Sequence, residues 1–79
     1  MSEQYFSESE AAEKIGKSVR SLRDFSDIPT GTTGTVLRSY KHSNGEIGID
    51  IQWNLPGRRT PLIDGFSKDE YNQFLVEVT

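Results

Sequence analysis

One segment of this chain, residues 44–53, alternates apolar and polar side chains strictly enough to constrain the whole fold. It reads NGEIGIDIQW, with three isoleucines and a tryptophan at every second position. Successive side chains of a β-strand point to opposite faces, so this pattern predicts a strand with one apolar face. Ser43, Asn44 and Gly45 accept the positive φ that a tight turn requires. We therefore predict a hairpin between this strand and residues 33–41.

The size and composition of the chain restrict the classes of protein to which it can belong. Its 79 residues form one domain, with little protein to spare for an enclosed active site. The chain has no cysteine, which excludes disulfides and thiolate zinc sites, and it has no apolar run long enough to span a membrane. No secretory signal is present, so we expect a cytoplasmic protein. The net charge is −3, yet residues 14–59 carry eight basic against four acidic side chains, which is compatible with a local basic face.

Two capping boxes predict short helices. Ser7 and Glu10 have the required spacing, and Gly16 suits the end of the helix that they begin. Ser67 and Glu70 repeat the pattern and predict a helical turn near the end of the chain.

The segment of residues 17–25 fits two interpretations. Ile15, Val19 and Leu22 fall at helical spacing, and Phe25 extends the series. Val19 also fits a twisted or bulged strand, and the preceding glycine favours the start of a new element there. We favour the strand.

Further short strands are predicted at residues 60–66 and 74–78, which gives five strands in total. A long early loop, a tight hairpin and a helical turn before the last strand connect them. We predict a mainly β fold, a small five-stranded SH3-like barrel of residues 16–79, preceded by an arm and short helix of residues 1–15. The predicted core consists of Val19, Leu22, Val36, Ile47, Ile49, Ile51, Leu62, Phe66, Phe74 and Val76.

Residues 16–78 resemble a known group of small SH3-like barrels. The stretches that carry the resemblance are Gly16-Lys17-x-Val19-Arg20, Gly31-x-x-Gly34-Thr35-Val36, Ile49-x-Ile51-x-Trp53 and residues 66–78. The group includes a small accessory protein of photosystem I, the ferredoxin-docking components of photosynthetic complexes, and KOW-type domains. Its members mostly act as non-catalytic docking proteins or nucleic-acid binders, so the resemblance implies a binding role.

Residues 6–25 carry a second resemblance. The matching residues are Glu10-Ala11-Ala12, Gly16 and Ser18-Val19-Arg20-Ser21-Leu22-Arg23, which are similar to the helix-turn-helix of MerR-like regulators and excisionases. That resemblance implies a recognition helix from which Arg20 and Arg23 face DNA. Four acidic residues among the first thirteen oppose the approach of phosphates. The alternative function is nucleic-acid binding, either through this segment with Lys17, Arg20 and Arg23 or through the basic central segment of residues 14–59.

Few residues suit catalysis. His42 is the only histidine and lies beside the hairpin turn, where a solvated side chain is expected rather than an oriented base. Asp24, Asp27, Asp50 and Asp64 lack the spacing of a calcium loop and have no histidine partner for a transition metal. We therefore expect no enzymatic activity, no metal and no cofactor.

Five side chains are the predicted binding residues because aromatic residues and arginine are enriched at protein interfaces. They are Tyr40, Trp53, Leu55, Arg58 and Arg59. Trp53 has the same parity as the isoleucines, so it either completes the core or opens the binding surface. The function we predict is a non-enzymatic module that docks onto a protein partner or a larger complex.

Overall fold

The segment with the strictest alternation, residues 47–53, forms a strand that pairs on both of its sides. The computed structural model describes residues 5–24, 27–57 and 59–78. Its elements are α1 (Glu8–Lys14), β1 (Ser18–Ser21), β2 (Thr33–Lys41), β3 (Ile47–Trp53), β4 (Leu62–Phe66), α2 (Lys68–Phe74) and β5 (Leu75–Val78). The strands form one open antiparallel sheet in the order β4-β3-β2-β1-β5. The prediction of a mainly β chain with five strands is confirmed.

The predicted hairpin joins β2 to β3, and its register decides which side chains share a face. Gly34 pairs with Trp53 at one end, and Tyr40 pairs with Gly48 one pair before the other end. Gly45 has a φ of 91° in the turn, as the tight hairpin requires. Because faces alternate along a strand, the isoleucines and Trp53 face the core while Gly48 lies on the opposite face of β3.

Both predicted capping boxes are present. The hydroxyl of Ser7 accepts from the amide of Glu10 at 3.2 Å, and the Glu10 carboxylate accepts from the Ser7 amide at 2.9 Å. Ser67 and Glu70 form the same two bonds at 3.3 and 2.9 Å. Each helix has only seven residues, so both depend on packing against the sheet for their stability. Within the described ranges, no helix has the length and apolar character needed to cross a membrane.

Residues 18–21 form strand β1, which confirms the strand interpretation of this segment. Gly16 has a φ of 90°, and its amide donates to the carbonyl of Val36 at 2.8 Å. The amide of Val36 donates in turn to the carbonyl of Lys17 at 2.9 Å, so the chain enters the sheet directly after α1. The expectation of a helix-turn-helix is therefore wrong, because the residues that would form its recognition helix form strand β1 instead. Phe25 lies outside the described residues.

One apolar core lies between the helices and the sheet. Among the described residues it consists of Phe6, Ala11, Val19, Ile28, Val36, Ile47, Ile49, Ile51, Trp53, Phe66, Tyr71 and Leu75. Leu62 and Phe74, both predicted in the core, are half-buried against it.

Leu22 and Val76 were also predicted in the core, and both predictions are wrong. Their exposed fractions are 48% and 40%. Val76 pairs with Arg20 on the outer face of β1, and Leu22 has the same parity as Arg20. The alternation predicts a buried Val76 only if the strand includes Phe74, which belongs to α2. Because β5 begins one residue later, Leu75 is the side chain that becomes buried.

The loop before β2 is fastened to Ser21, a buried polar residue. The Ser21 hydroxyl donates to the carbonyl of Pro29 at 2.7 Å and accepts from the amide of Thr32 at 3.2 Å. The backbone of Ser21 also bonds to Gly31 and Thr32, each at 2.9 Å. These bonds hold the loop close enough to the sheet for Ile28 to enter the core.

Candidate functional site

The predicted binding residues do not form one site. Tyr40 pairs with Gly48 in β3, and Gly48 lies five residues before Trp53. Tyr40 and Trp53 are therefore about 17 Å apart along the strand. Leu55 and Arg59 lie at the Trp53 end, where they line a common pocket. Arg58 lies outside the described residues.

Trp53 belongs to the core. Its side chain is 2% exposed and packs edge-on against Phe66, with ring centroids 6.3 Å apart. The indole Nε1 donates to Asp64 Oδ2 at 3.0 Å. A Cβ added to Gly34 would lie 2.8 Å from Cε3 of the indole, so the ring packs directly on the backbone of β2. Of the two interpretations of Trp53, the structure supports the core one.

A shallow pocket of about 230 Å³ lies at the Trp53 end of the sheet. Its lining includes Leu55, Arg59 and Pro61. Leu55 packs against the core, whereas Arg59 is exposed. Among the described lining residues, the arginine is therefore the charged group that this pocket presents to solvent.

A larger groove of about 400 Å³ surrounds Tyr40 at the opposite end of the β2–β3 hairpin. Side chains that come from β2, from the hairpin turn, from α2 and from the segment before α1 line it. We call it the Tyr40 groove. The lining residues with aromatic or titratable side chains are Tyr5, Tyr40, His42, Glu46, Asp69 and Glu70.

Two glycines determine where the ring of Tyr40 lies. A Cβ added to Gly48 would be 2.7 Å from Tyr40 Oη, and one added to Gly65 would be 2.5 Å from the same atom. The ring therefore crosses the backbone of β3 and β4 on the face opposite the core. His42 packs edge-on against it, with centroids 4.9 Å apart and planes at 87°. Tyr40 is thus a half-buried aromatic side chain in a fixed position.

Carboxylates make the Tyr40 groove negative. Glu46, Asp69 and Glu70 line it, and none of them forms an ion pair with another described residue. A side-chain hydrogen bond to Glu46 raises the pKa of Tyr5. Burial raises the pKa of Tyr40, and the charges of nearby carboxylates raise it further. Glu46 is thus the main cause of the raised pKa of Tyr5, whereas negative charge only adds to the effect of burial on the pKa of Tyr40.

The basic residues of the alternative function lie around β1. Lys17, Arg20 and Arg23 are exposed, and within the described part of the chain none of them forms an ion pair. The guanidinium of Arg23 lies 5.4 Å from the centroid of the Phe74 ring. Arg20 lies on a strand, so the three cations do not share a helix face.

Three of the four aspartates considered for catalysis or metal binding accept hydrogen bonds from other residues of the fold. Asp24 accepts from the amide and the hydroxyl of Thr30, at 2.5 and 2.8 Å. Asp50 accepts from Arg38 Nε at 2.7 Å, and Asp64 accepts from the indole described above. In residues 5–24, 27–57 and 59–78, no group of three histidine, cysteine, aspartate or glutamate residues is placed to hold a metal ion.

Sequence reasoning missed most of the Tyr40 groove. Tyr5, Glu46 and Glu70 come from three separate segments of the chain, and only the tertiary structure brings them together. One sequence signal was present, since a glycine within a strand often marks a close approach of another group. Gly48 and Gly65 are such residues, and the group that approaches both is Tyr40.

Comparisons with protein-family models, with curated proteins and with solved structures give no match to this chain.

Proposed function

We propose that this chain is a non-enzymatic binding module with an SH3-like barrel fold, which docks onto a protein partner through the Tyr40 groove. The position of Tyr40 carries the proposal, because its ring lies fixed over Gly48 and Gly65 beside an open groove. A rigid tyrosine loses little conformational freedom on binding and offers a large contact area. Tyrosine is accordingly enriched among the residues that dominate binding energy at interfaces.

The strand order supports the barrel part of the proposal. β1 pairs with both β2 and β5, so the first and last strands are neighbours, and α2 directly precedes β5. The SH3-like barrels that the sequence resembles have a helical turn at the same place. In the proposed barrel, the edge strands β4 and β5 curve around the common core.

Site-specific crosslinking tests the docking proposal. His42 is exposed and lines the groove, so a photoreactive phenylalanine analogue at position 42 reports contacts made there. The full chain, added to a lysate of the cells that produce it, is expected to crosslink to a discrete partner. Arg59 provides the matched control, because it is also exposed and lies at the other end of the sheet.

The expected pattern is a crosslink from position 42 and none from position 59. Adding Tyr40→Ala should abolish the crosslink while circular dichroism shows that the domain stays folded. A crosslink from position 59 alone, none from position 42, or one that survives Tyr40→Ala would refute docking through the groove.

Nucleic-acid binding is the second proposal, and the exposed charges of Lys17, Arg20 and Arg23 support it. If all three contact phosphates, the affinity for duplex DNA should fall about 40-fold between about 50 and about 200 mM salt. Fluorescence anisotropy with labelled duplex DNA and single-stranded RNA measures this. The variant Lys17→Gln/Arg20→Gln/Arg23→Gln should then lose both the binding and its salt dependence. Binding that this variant retains, or no binding by the wild type, would exclude the proposal.

A further inference from the structure

The Tyr40 groove combines aromatic rings with carboxylates, and this combination restricts the chemistry of what can bind there. Tyr5 and Tyr40 contribute the rings, and Glu46, Asp69 and Glu70 contribute the carboxylates. A cation gains from both, because the face of an aromatic ring and a carboxylate each attract positive charge. An anionic ligand such as a phosphate would be repelled by all three carboxylates.

The lysines close to the groove are engaged outside it. Lys41 Nζ lies 3.4 Å from Glu8 Oε2, and Lys68 Nζ lies 2.8 Å from Glu10 Oε2. Both acceptors belong to α1 and neither lines the groove. The carboxylates of the groove therefore lack a counter-ion among the described residues, and an external cation would supply it.

The size and lining of the groove suit a long side chain. Its volume of about 400 Å³ lies near the lower end of the range of about 300–1,000 Å³ that is typical of ligand sites. Ile47 and Gly48 also line it, so it offers some apolar surface below the charged rim. Arginine and lysine carry an aliphatic stem and a charged head, which match these two parts.

We infer that the Tyr40 groove binds a basic segment of a protein partner, with an arginine or lysine side chain lying against Tyr40 and pairing with Glu46 and Glu70. The inference rests on the proposed function, since it gives the chemistry of the partner for the same groove.

A titration with short peptides tests the inference on the full chain. The probe is a five-residue peptide that alternates glycine and arginine, and its control carries citrulline, which is an uncharged isostere of arginine. Two-dimensional amide NMR spectra are recorded at increasing peptide concentration. The arginine peptide is expected to shift the amides of Tyr40, Glu46 and Glu70 in a saturable manner, and the citrulline peptide is expected to leave them in place.

Variants in which glutamine or asparagine replaces a carboxylate show whether the peptide binds through the groove or through the general negative charge of the surface. Glu46→Gln/Glu70→Gln removes two of its carboxylates, and glutamine at position 70 keeps the capping box of α2. The Kd of the arginine peptide should rise about fivefold or more. The control Glu13→Gln/Asp27→Asn makes the same change in net charge at exposed residues outside the groove. Its Kd should stay within about twofold of the wild-type value.

Three results would overturn the inference: equal binding of the citrulline peptide, shifts that map outside the groove, or an unchanged Kd in Glu46→Gln/Glu70→Gln. The crosslinking experiment distinguishes this failure from failure of the docking proposal. If position 42 captures a partner equally well in Glu46→Gln/Glu70→Gln, docking holds and the basic segment is excluded. If position 42 captures nothing while the arginine peptide binds the groove, the cation site holds and docking is excluded.

Discussion

Lys14 and Glu77, which are 63 residues apart in the chain, form an ion pair that joins the first helix to the last strand. Lys14 Nζ lies 2.5 Å from Glu77 Oε2, and the hydroxyl of Tyr71 donates to the same oxygen at 2.8 Å. Lys14 also lies 5.3 Å from the centroid of the Tyr71 ring. One carboxylate therefore connects α1, α2 and β5.

Glu77→Gln is expected to lower the free energy of unfolding by about 1 kcal/mol, because glutamine keeps an acceptor for Tyr71 but removes the charge pair with Lys14. Urea denaturation followed by the fluorescence of Trp53 measures the change. Glu13→Gln removes an exposed charge of α1 that has no ion pair among the described residues. This control should change stability by less than about 0.5 kcal/mol, and equal losses in both variants would contradict the prediction.

Stability is expected to fall in acid, because folding favours the ionised forms of Glu10 and Glu77. A hydrogen bond to Lys68, strengthened by the cap of α1, lowers the pKa of Glu10 to about 2. A hydrogen bond to Lys14 lowers the pKa of Glu77. With an ordinary pKa of 4.5, each group binds its proton in the unfolded chain first as the pH falls. Their stabilising contribution is therefore complete above that pH and is lost progressively below it.

Urea denaturation at a series of pH values from neutral to strongly acidic measures this loss. In Glu10→Gln/Glu77→Gln the dependence on pH below 4.5 should be weaker than in the wild type. Glutamine at position 10 retains the capping box, so α1 should be preserved. A pH dependence identical to that of the wild type would show that these two carboxylates do not carry the effect.

Ser21→Ala is expected to cost about 1 kcal/mol, because it removes the two bonds of the Ser21 hydroxyl while the amide of Thr32 still donates to the carbonyl of Pro29. The loop should also open more often, so amide hydrogen exchange at Thr32 should accelerate. Chemical denaturation and exchange NMR measure the two effects. Ser39→Ala, at an exposed position of β2, is the control and should be nearly neutral. Similar costs at both positions would be inconsistent with the role given to Ser21.

Gly65→Ala is expected to displace the ring of Tyr40 at a cost of about 1 kcal/mol, since the nearest atoms to the new Cβ belong to the side chains of Tyr40 and Asp50 and none to the backbone. In a Tyr40→Ala background the same substitution should cost almost nothing, which gives a coupling energy of about 1 kcal/mol. Gly34→Ala should cost more, about 1–3 kcal/mol, because its Cβ would meet the buried side chains of Ile51 and Trp53. A double-mutant cycle by urea denaturation checks these values. A cost of Gly65→Ala that does not depend on Tyr40 would disprove the contact.

The helices and strands of this fold could be predicted well from the sequence, because residues close together in the chain determine them. The isoleucines of β3 reveal a strand by spacing alone, and each capping box involves residues only three positions apart. Faces were harder to predict, because the side of the sheet on which Val76 lies depends on the residue at which β5 begins. Ile28 was missed since its burial depends on bonds between its loop and Ser21.

The candidate site was the least predictable part, because it depends on contacts between distant segments. The sequence left two interpretations of Trp53 open, and its burial and its packing against Phe66, thirteen residues away, identify it as a core residue. Tyr40 was selected from the sequence, but its neighbours Tyr5 and Glu70 reach it only through the packing of the helices onto the sheet.

Tyr40 belongs to β2 and rests on the backbone of β3 and β4, so the shape of its groove depends on three strands at once. A slip of either strand pairing by one residue would carry the tyrosine or its glycines to the wrong face. Any ligand of the groove therefore binds only correctly paired chains and shifts the folding equilibrium toward them. At about 100 times its Kd, such a ligand would add about 2.7 kcal/mol to the free energy of unfolding. Occupancy of the groove would thus report on the assembly of the sheet, and a bound ligand would add to the stability of this small domain.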